Sequence, residues 1–564
     1  MQERKEISLK THGKIPFQSK DLQLKQSVVF FVLFILTVII SLFCMEESPL
    51  YRYSSTVDGS VYMNVGNAMK NGAVMYRDVF DHKGPLFFLF MWLLSVLPGS
   101  TRIAFFSAEI LAGFFTVVIA YKICKLYLND ILSFFITCLI FPFIFGGTLE
   151  AASGSVEQFL LPLFFLFMYI YLLFWENYIA QPSEKKEPSA CRFRTGYFVI
   201  AGIICGIYLL CKMNICFIFL ILGLSVFIWL CLQRKGKQAF VMLGMVCLGI
   251  VIASIPVVIY CICNNCFQDV WDGYVSFNLI YAGTPSYLQQ DIPLAMAYLY
   301  TLISCPLASP WLIASSVMVL LIKKYPLWMR VSFSISTIAF FLITYSTKRI
   351  YVYIFLSFIP FSVVGIIWTV MLLQELSKSR QIRLFEKWNK RSISIALVVF
   401  LSVILFGTII SNGKCITSPR FLNREVTGYE KIAEMITTIT PEGETPSTML
   451  FGFNDASIYY LTDTTSQIRY FYTPNINANA NRDVYDTQCS YVKDGIPDVI
   501  LSSVFFSKEM TDDYVYIGNT YMNTEEEVEL FIYVYVRDSW VNGNEDEIND
   551  MLFPVSQEML EKWT

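Results

Sequence analysis

Eleven windows of mostly apolar, almost uncharged residues follow one another along this chain, near residues 27–45, 101–121, 131–147, 158–175, 195–211, 213–232, 239–262, 295–322, 330–347, 350–374 and 393–411. About 17 to 25 such residues are what a helix needs to cross a hydrocarbon core roughly 30 Å thick. In lipid the backbone polar groups must be satisfied within the segment, which a helix does. No single soluble core accommodates so many windows in succession, so the chain is expected to fold as an α-helical polytopic membrane protein. The first window, Ser27 to Met45, is too long for the apolar core of a secretory signal and is followed by no small-residue cleavage site. It reads as a retained span.

The loops between the windows test this reading, because Lys and Arg concentrate in short cytoplasmic loops. With the N-terminus inside, the inside segments carry Arg4 to Lys25, then Lys122 and Lys125, then Lys185, Lys186, Arg192 and Arg194. Arg234, Lys235 and Lys237 follow, then Lys323, Lys324 and Arg330, then the run from Lys378 to Arg391. Every inside loop is basic. The bookkeeping requires that Pro85 to Pro98, about 14 apolar residues, be re-entrant or interfacial, a role that its length suits. If it crosses, the count rises from about 11 toward 13, and an odd number with an external C-terminus is the expectation either way. The protein is then a multi-pass protein of the cell (plasma) membrane, with residues 1–26 a cytoplasmic tail and 27–411 the transmembrane domain.

Past Ser411 the composition changes. Residues 412–564 hold 25 acidic and 10 basic side chains, net −15; with −3 for the whole chain, the remainder carries +12. "TMLFGF", "DVILSSVFF" and "ELFIYVYV" read as strands and "GYEKIAEMITTIT" has helical spacing, so this part is expected to be a small extracytoplasmic α/β domain. Nucleic acid is not expected as a partner.

Several chemistries are excluded cheaply. The only histidines are His12 and His82, so neither a histidine-rich metal site nor a Ser/His/Asp triad in the tail can form. There is no P-loop pattern and no GxGxxG after a strand. Most of the 15 cysteines fall inside spans, where a free thiol is a small apolar group; Cys415 and Cys489 are the external pair that could join.

What remains is an unusual first external segment, residues 46–84. "YRDVFDHKGPL" packs Arg77, Asp78, Asp81, His82 and Lys83 into seven positions and runs straight into an apolar stretch. Lys83 at that edge, Lys212 in "LLCKMN" and Lys348-Arg349 in "STKRIYVYIFLSFIP" are cations at an outer face, against the topological rule. A cation in or near hydrocarbon costs roughly 2.5 to 3.5 kcal/mol on insertion scales and needs a partner. Snorkelling to headgroups or pairing with an acid is the plain alternative at each position; all three together suggest a shared anion, most simply a lipid phosphate. Carboxylates accompany them: Asp58, and Glu150 and Glu157 in "GGTLEAASGSVEQFLLP". A carboxylate that takes a proton from an attacking hydroxyl or amine, with cations on a phosphate leaving group, suits glycosyl transfer from a lipid phosphate. Glu109, inside a span, reads instead as a helix-packing hydrogen bond. The charges of the quoted loop would rim the site, with Asp78 or Asp81 orienting Lys83 or pairing with Arg77. Tyr53, Tyr62 and Tyr76 would stack on a sugar or mark the interface belt.

"DGSVYMNVGNAMKNGAVMYRDVFDHKGPL" resembles the first external loop of the bacterial polytopic C-type (GT-C) glycosyltransferases, the superfamily of the protein O-mannosyltransferases and the lipid A aminoarabinose transferase. That loop has an early Asp, a "G..pY.D..d.K.P" run and a Pro-Leu that opens the next helix. "GSVEQFLLP", "LLCKMN" and "KRIYVYIFLSFIP" are similar to weaker motifs of the family, and the resemblance covers roughly residues 25 to 365. It implies a polyprenyl-phosphate sugar donor, transfer on the extracytoplasmic face to an envelope glycan, lipid or protein, and inversion at the anomeric carbon. By position it makes Asp58 the catalytic base and Lys83 a phosphate-binding lysine, joined by Lys212 and Arg349. Asp78, Asp81, His82 and Tyr353 are supporting residues, and Glu157 is the second acidic position and a candidate metal ligand. Two departures stand out: "HKGP" replaces the "KPP" of many members, and the second loop has Glu where Asp is usual. Mg²⁺ or Mn²⁺ would suit oxygen ligands, but the sequence does not require either.

The competing classes are a transporter of lipid-linked saccharides and a non-catalytic envelope assembly protein. The first predicts internal repeats with broken midplane helices, and none is evident; the second predicts that Asp58 and Lys83 are dispensable. The acidic, aromatic segment 266–291 is expected to cover or read the acceptor.

Overall fold

The computed structural model describes residues 25–541 apart from 54–55, 146–152, 180–193, 284–292, 349–350, 380–389, 413–415, 417, 419, 425, 477–481, 508–509 and 522–530. Its helices follow the apolar windows. Helix α1 (Gln26–Cys44) is the first; α2 (Val57–Lys70) and α3 (Pro85–Val96) pack side by side in parallel, Tyr62 against Phe87 and Gly66 against Met91, so that residues 71–84 return along α2; α4 (Thr101–Lys125), α5 (Asp130–Cys138), α6 (Ile140–Phe145) and α7 (Val156–Ile179) follow. Helices α8 (Gly196–Cys211), α9 (Met213–Leu232) and α10 (Gly236–Asn264) lead into α11 (Phe267–Val270), a π-helical turn over Trp271–Ser276, and α12 (Phe277–Gly283). Helices α13 (Leu294–Ser304), α14 (Ser309–Leu321) and α15 (Leu327–Tyr345), a 3-10 turn over Val352–Phe358, α16 (Ile359–Ser379) and α17 (Lys390–Ser411) complete the helical part.

Seven of the described segments are long and apolar enough to cross a membrane, and an eighth is added if α13 and α14, which meet at 105°, count as one span. Three shorter apolar helices, Asp130–Phe145, Gly196–Cys211 and Ile395–Ser411, fall on the remaining windows read from the sequence. Pro85–Val96 is a 12-residue helix, about 18 Å long at 1.5 Å per residue and so shorter than a hydrocarbon core.

The helices approach closely where glycine permits it. A Cβ on Gly202 of α8 would lie 2.1 Å from the carbonyl oxygen of Val246 on α10. Arg102, at the start of α4, is buried and spends its guanidinium on the carbonyls of Arg52 (2.9 Å), Ser48 (2.6 Å) and Tyr51 (2.7 Å). It thereby pins the loop between α1 and α2.

The C-terminal part carries a four-stranded sheet in the order β1-β2-β4-β3, with β1 (Thr448–Phe451) parallel to β2 (Val499–Ser502) and β4 (Phe531–Arg537) antiparallel to β2 and to β3 (Tyr514–Tyr521). The helix Gly428–Ile439 starts at a capping box formed by Thr427 and Glu430, the arrangement that satisfies two orphan N–H groups at once. Apolar residues of the helical part and of this sheet belong to one continuous core. Cys415, named above as a disulfide partner, lies outside the described residues.

Candidate active site

The chain from Val74 to Gly84 is folded back on itself. Tyr76 adopts φ +63°, a left-handed conformation that costs a bulky residue of order 1 kcal/mol or more. Two contacts hold it there: its hydroxyl donates to the Lys83 carbonyl (2.5 Å), and its ring packs where a Cβ on Gly273 would stand, 2.4 Å from a ring carbon. The two acids of the loop divide the roles left open by the sequence. Asp78 pairs with its neighbour Arg77 at the surface (3.2 Å) and accepts from the Val74 N–H (2.8 Å). Asp81 is buried; its Oδ1 accepts from the Tyr472 hydroxyl (2.5 Å) and lies 3.0 Å from His82 Nδ1, and its Oδ2 accepts from the Lys83 N–H (3.4 Å).

Gly84 explains one departure from the family pattern. A Cβ there would lie 2.0 Å from the Leu210 carbonyl oxygen, and the Gly84 N–H donates to the Cys211 carbonyl at 3.2 Å. The turn that carries Lys83 is thus pressed against the end of α8, next to Lys212. Lys212 occupies the corner between α8 and α9 with φ −153° and ψ 80°. Tyr274 spans that corner, donating its hydroxyl to the Leu209 carbonyl (2.8 Å) and accepting from the Met213 N–H (3.1 Å). From the same segment Asn278 donates to the His82 carbonyl (2.6 Å), and Phe277 and Tyr281 flank the His82 ring. The described part of the 266–291 segment therefore braces both lysines.

Lys83 Nζ stands 3.7 Å from Asp58 Oδ2 and 5.2 Å from the centre of the Tyr62 ring; Tyr62 donates its hydroxyl to the same Asp58 oxygen at 2.9 Å. The Lys83 side chain is 11% exposed and that of Asp58 32%. Lys212 is paired with Glu157, whose side chain is only 1% exposed, and lies 5.5 Å from the centre of the Tyr353 ring. Asp58, Asp81, His82, Lys83 and Tyr353 line one cleft of about 420 Å³, together with Glu46, Tyr281, Tyr351, Asn454, Tyr472 and Asn475. Arg349 and Glu150 lie outside the described residues.

The charges reinforce one another. For Asp81, burial alone would raise the carboxyl pKa, but Lys83, His82 and the Tyr472 hydroxyl outweigh it and hold the group well below the usual carboxylate range. Burial, with Lys83 adding to it, lowers His82, so the imidazole is neutral near pH 7. Burial also acts to lower Lys83, yet Asp58, Asp81 and Glu157 together keep it raised and fully charged. Glu157, the candidate metal ligand, gives Oε1 to Lys212 while its buried Oε2 has no hydrogen-bond partner, and among the described residues no three His, Cys, Asp or Glu come together as a ligand set.

Sequence reasoning singled out Glu109 but not Glu47, the second buried carboxyl that meets Ser153. Glu47 accepts from Thr56 and from Ser153 (2.5 Å), and Glu109 accepts from the Gly154 N–H (2.7 Å). Burial pushes the Glu47 carboxyl above its ordinary range. Glu109 thus anchors a loop, where helix packing was expected. Thr56 precedes α2, so this cluster sets where Asp58 stands. Nor did the sequence signal Tyr472 and Asn475, which lie almost 400 and more than 390 residues from Asp81 and Lys83 along the chain.

No family model and no curated protein sequence matches the chain. Among solved structures, ArnT from Cupriavidus metallidurans bound to undecaprenyl phosphate is similar to it over 90% of this chain and 97% of that one, with a TM-score of 0.55 at 12% identity. An oligosaccharyltransferase from Archaeoglobus fulgidus in the apo form covers 93% of this chain with 78% of its own, with a TM-score of 0.48 at 12% identity. The fold is that of the C-type glycosyltransferases, the class that the first external loop resembles.

Proposed function

We propose that this protein is an integral-membrane glycosyltransferase that moves a hexosyl or pentosyl group from a polyprenyl-phosphate donor to an acceptor of the cell envelope, a glycan, lipid or protein, with inversion. The observation that carries the reading is the juxtaposition, in one cleft, of Asp58 with Lys83 at 3.7 Å. A cation at an apolar boundary is costly without a partner; a carboxylate base beside a lysine in one cleft gives the two a shared task. The fold similarity to a structure bound to undecaprenyl phosphate supports a lipid-linked donor.

In this mechanism Asp58 accepts the proton of the acceptor hydroxyl or amine as its oxygen or nitrogen attacks the anomeric carbon. The bond from that carbon to the phosphate oxygen breaks on the opposite side, which inverts the centre. Negative charge builds on the departing polyprenyl phosphate; Lys83, which lines the cleft, and Lys212, which is paired with Glu157 beside it, are assigned to stabilise it, an electrostatic contribution worth about 3 to 4 kcal/mol per well-placed donor. Tyr351 and Tyr353 offer further hydroxyls to the phosphate. Arg349, next to them in sequence, is assigned to the same anion. Asp81 orients the Lys83 turn, and His82, being neutral, leaves the cationic charge to the lysines. We place the cleft on the extracytoplasmic face, with the N-terminus inside, on the strength of the basic loops.

The test is transfer of labelled sugar from polyprenyl-phosphate donors to a membrane extract by the purified protein, with Asp58→Asn and Lys83→Ala beside wild type. Loss of the base is expected to lower turnover at least 100-fold. Folded variants that transfer like wild type would remove Asp58 and Lys83 from the site.

A further inference from the structure

The segment 469–475 of the C-terminal part lies across the turn that holds the cleft's lysine. The Phe80 N–H donates to the Arg469 carbonyl at 3.0 Å, the rings of Phe80 and Tyr470 meet edge to face at 5.1 Å, and Asn475 donates to the Tyr351 hydroxyl at 2.8 Å. At its centre Tyr472 donates to Asp81 Oδ1 at 2.5 Å, with Asp81 only 2% exposed. A buried carboxylate must satisfy its lone pairs locally, and losing one donor leaves it to draw on another neighbour.

We propose that Tyr472 is a positioning residue of the phosphate site: by occupying Asp81 it keeps Lys83 directed at Asp58 and the lipid phosphate. This rests on the transferase reading above. The geometry supplies the reason. Asp81 Oδ1 accepts from the Tyr472 hydroxyl and lies 3.0 Å from His82 Nδ1, which makes no hydrogen bond while the tyrosine is in place, and Oδ2 takes the Lys83 N–H. Remove the hydroxyl and Oδ1 is left with His82, which becomes more basic, while the Lys83 ammonium gains a second anion that competes with the phosphate. The groups facing His82 are Asp81 and Lys83 of its own turn, Asp58 from α2, Tyr281 from α12, Tyr472 from the C-terminal part, and Tyr351 and Tyr353 across the cleft. Glu46 also lines the cleft and pairs with Arg420 of the C-terminal part at 2.8 Å, but it is through Tyr472 and Asp81 that this part reaches the turn of His82 and Lys83. The acidic domain is then a component of the donor site.

The chain has only two histidines, which makes the test clean. In full-length protein carrying His12→Gln, a carbon-13-labelled histidine reports His82 alone, and its titration is followed in wild type and Tyr472→Phe. Binding of undecaprenyl phosphate is measured in parallel for wild type, Tyr472→Phe, Asp81→Asn and the double variant. Tyr472→Phe is expected to raise the His82 midpoint and weaken binding about tenfold, as the loss of a hydrogen bond to a charged group does; the double variant is expected to bind no worse than Asp81→Asn. An unmoved His82 midpoint, or losses that simply add in the double variant, would overturn the proposal. Should the phenylalanine variant not fold, Asp81→Asn carries the test alone: the His82 midpoint must fall and affinity drop, and no change in either refutes it. If wild type binds no undecaprenyl phosphate, the donor reading fails, and the His82 titration still decides the link from Tyr472 through Asp81.

Discussion

The pairing of Lys212 with Glu157 separates stability from function sharply. Their side chains are 12% and 1% exposed. Removing one partner of a buried pair leaves an uncompensated charge and costs about 3 to 5 kcal/mol, whereas replacing both with apolar or neutral groups of similar volume is often neutral. Lys212→Met and Glu157→Gln should therefore each destabilise the protein by about that amount, and the double variant should recover most of it. Thermal unfolding in detergent, followed through the buried tryptophans, reads the stabilities. Transfer or donor binding reads the function. The single variant Lys212→Met and the double variant are expected to lose donor affinity alike, because both lack the cation; Glu157→Gln should keep much of it wherever it stays folded, since Lys212 is then freer to meet a phosphate. A double variant that regains donor binding along with stability would refute the argument, for it would make Lys212 nothing more than the counter-ion of Glu157.

Two further outcomes follow from the geometry. Gly84→Ala places a methyl group 2.0 Å from the Leu210 carbonyl oxygen, a backbone atom that cannot step aside without moving α8; a loss of about 1 to 3 kcal/mol and of donor affinity is expected, measured by unfolding and by binding of undecaprenyl phosphate. Asp455, buried beside the Ser457 N–H and hydroxyl, has its carboxyl raised from 3.8 to about 6 by burial, against those hydrogen bonds. Because the folded value is the higher one, its favourable contribution is complete below about pH 4 and is lost as pH rises through 6, a difference of about 3 kcal/mol. Asp455→Asn should thus be more stable than wild type at pH 8 and indistinguishable from it near pH 4; an offset that does not vary with pH would contradict this.

The helical part was legible because lipid makes it so. Each span must close its own hydrogen bonds over a fixed length, and the windows read at 27–45, 101–121 and 213–232 recur as Gln26–Cys44, Thr101–Lys125 and Met213–Leu232. The same logic drew attention to Lys83 and Lys212, since a cation at an apolar boundary has few innocent explanations. It could not show that Gly84 and Tyr274 bring the two together, because close backbone approach leaves no mark on hydropathy. The bend of 105° between α13 and α14 was hidden for a related reason: residues 295–322 read as one apolar run, and periodicity does not register a break of a few residues. Longer-range contacts were less visible still. Tyr472 lies in a segment with no hydropathic signal, and only the fold discloses that its hydroxyl reaches a carboxylate 391 residues away. Glu47 and Glu109 look like ordinary interface and span acids until Ser153 and Gly154 are seen to bind them. What a sequence of this kind displays is the cost of placing a charge at the membrane boundary. What it withholds is the partner that meets the cost, and in this cleft the partners come from the first turn of α2, the turn before α3 and the C-terminal part at once.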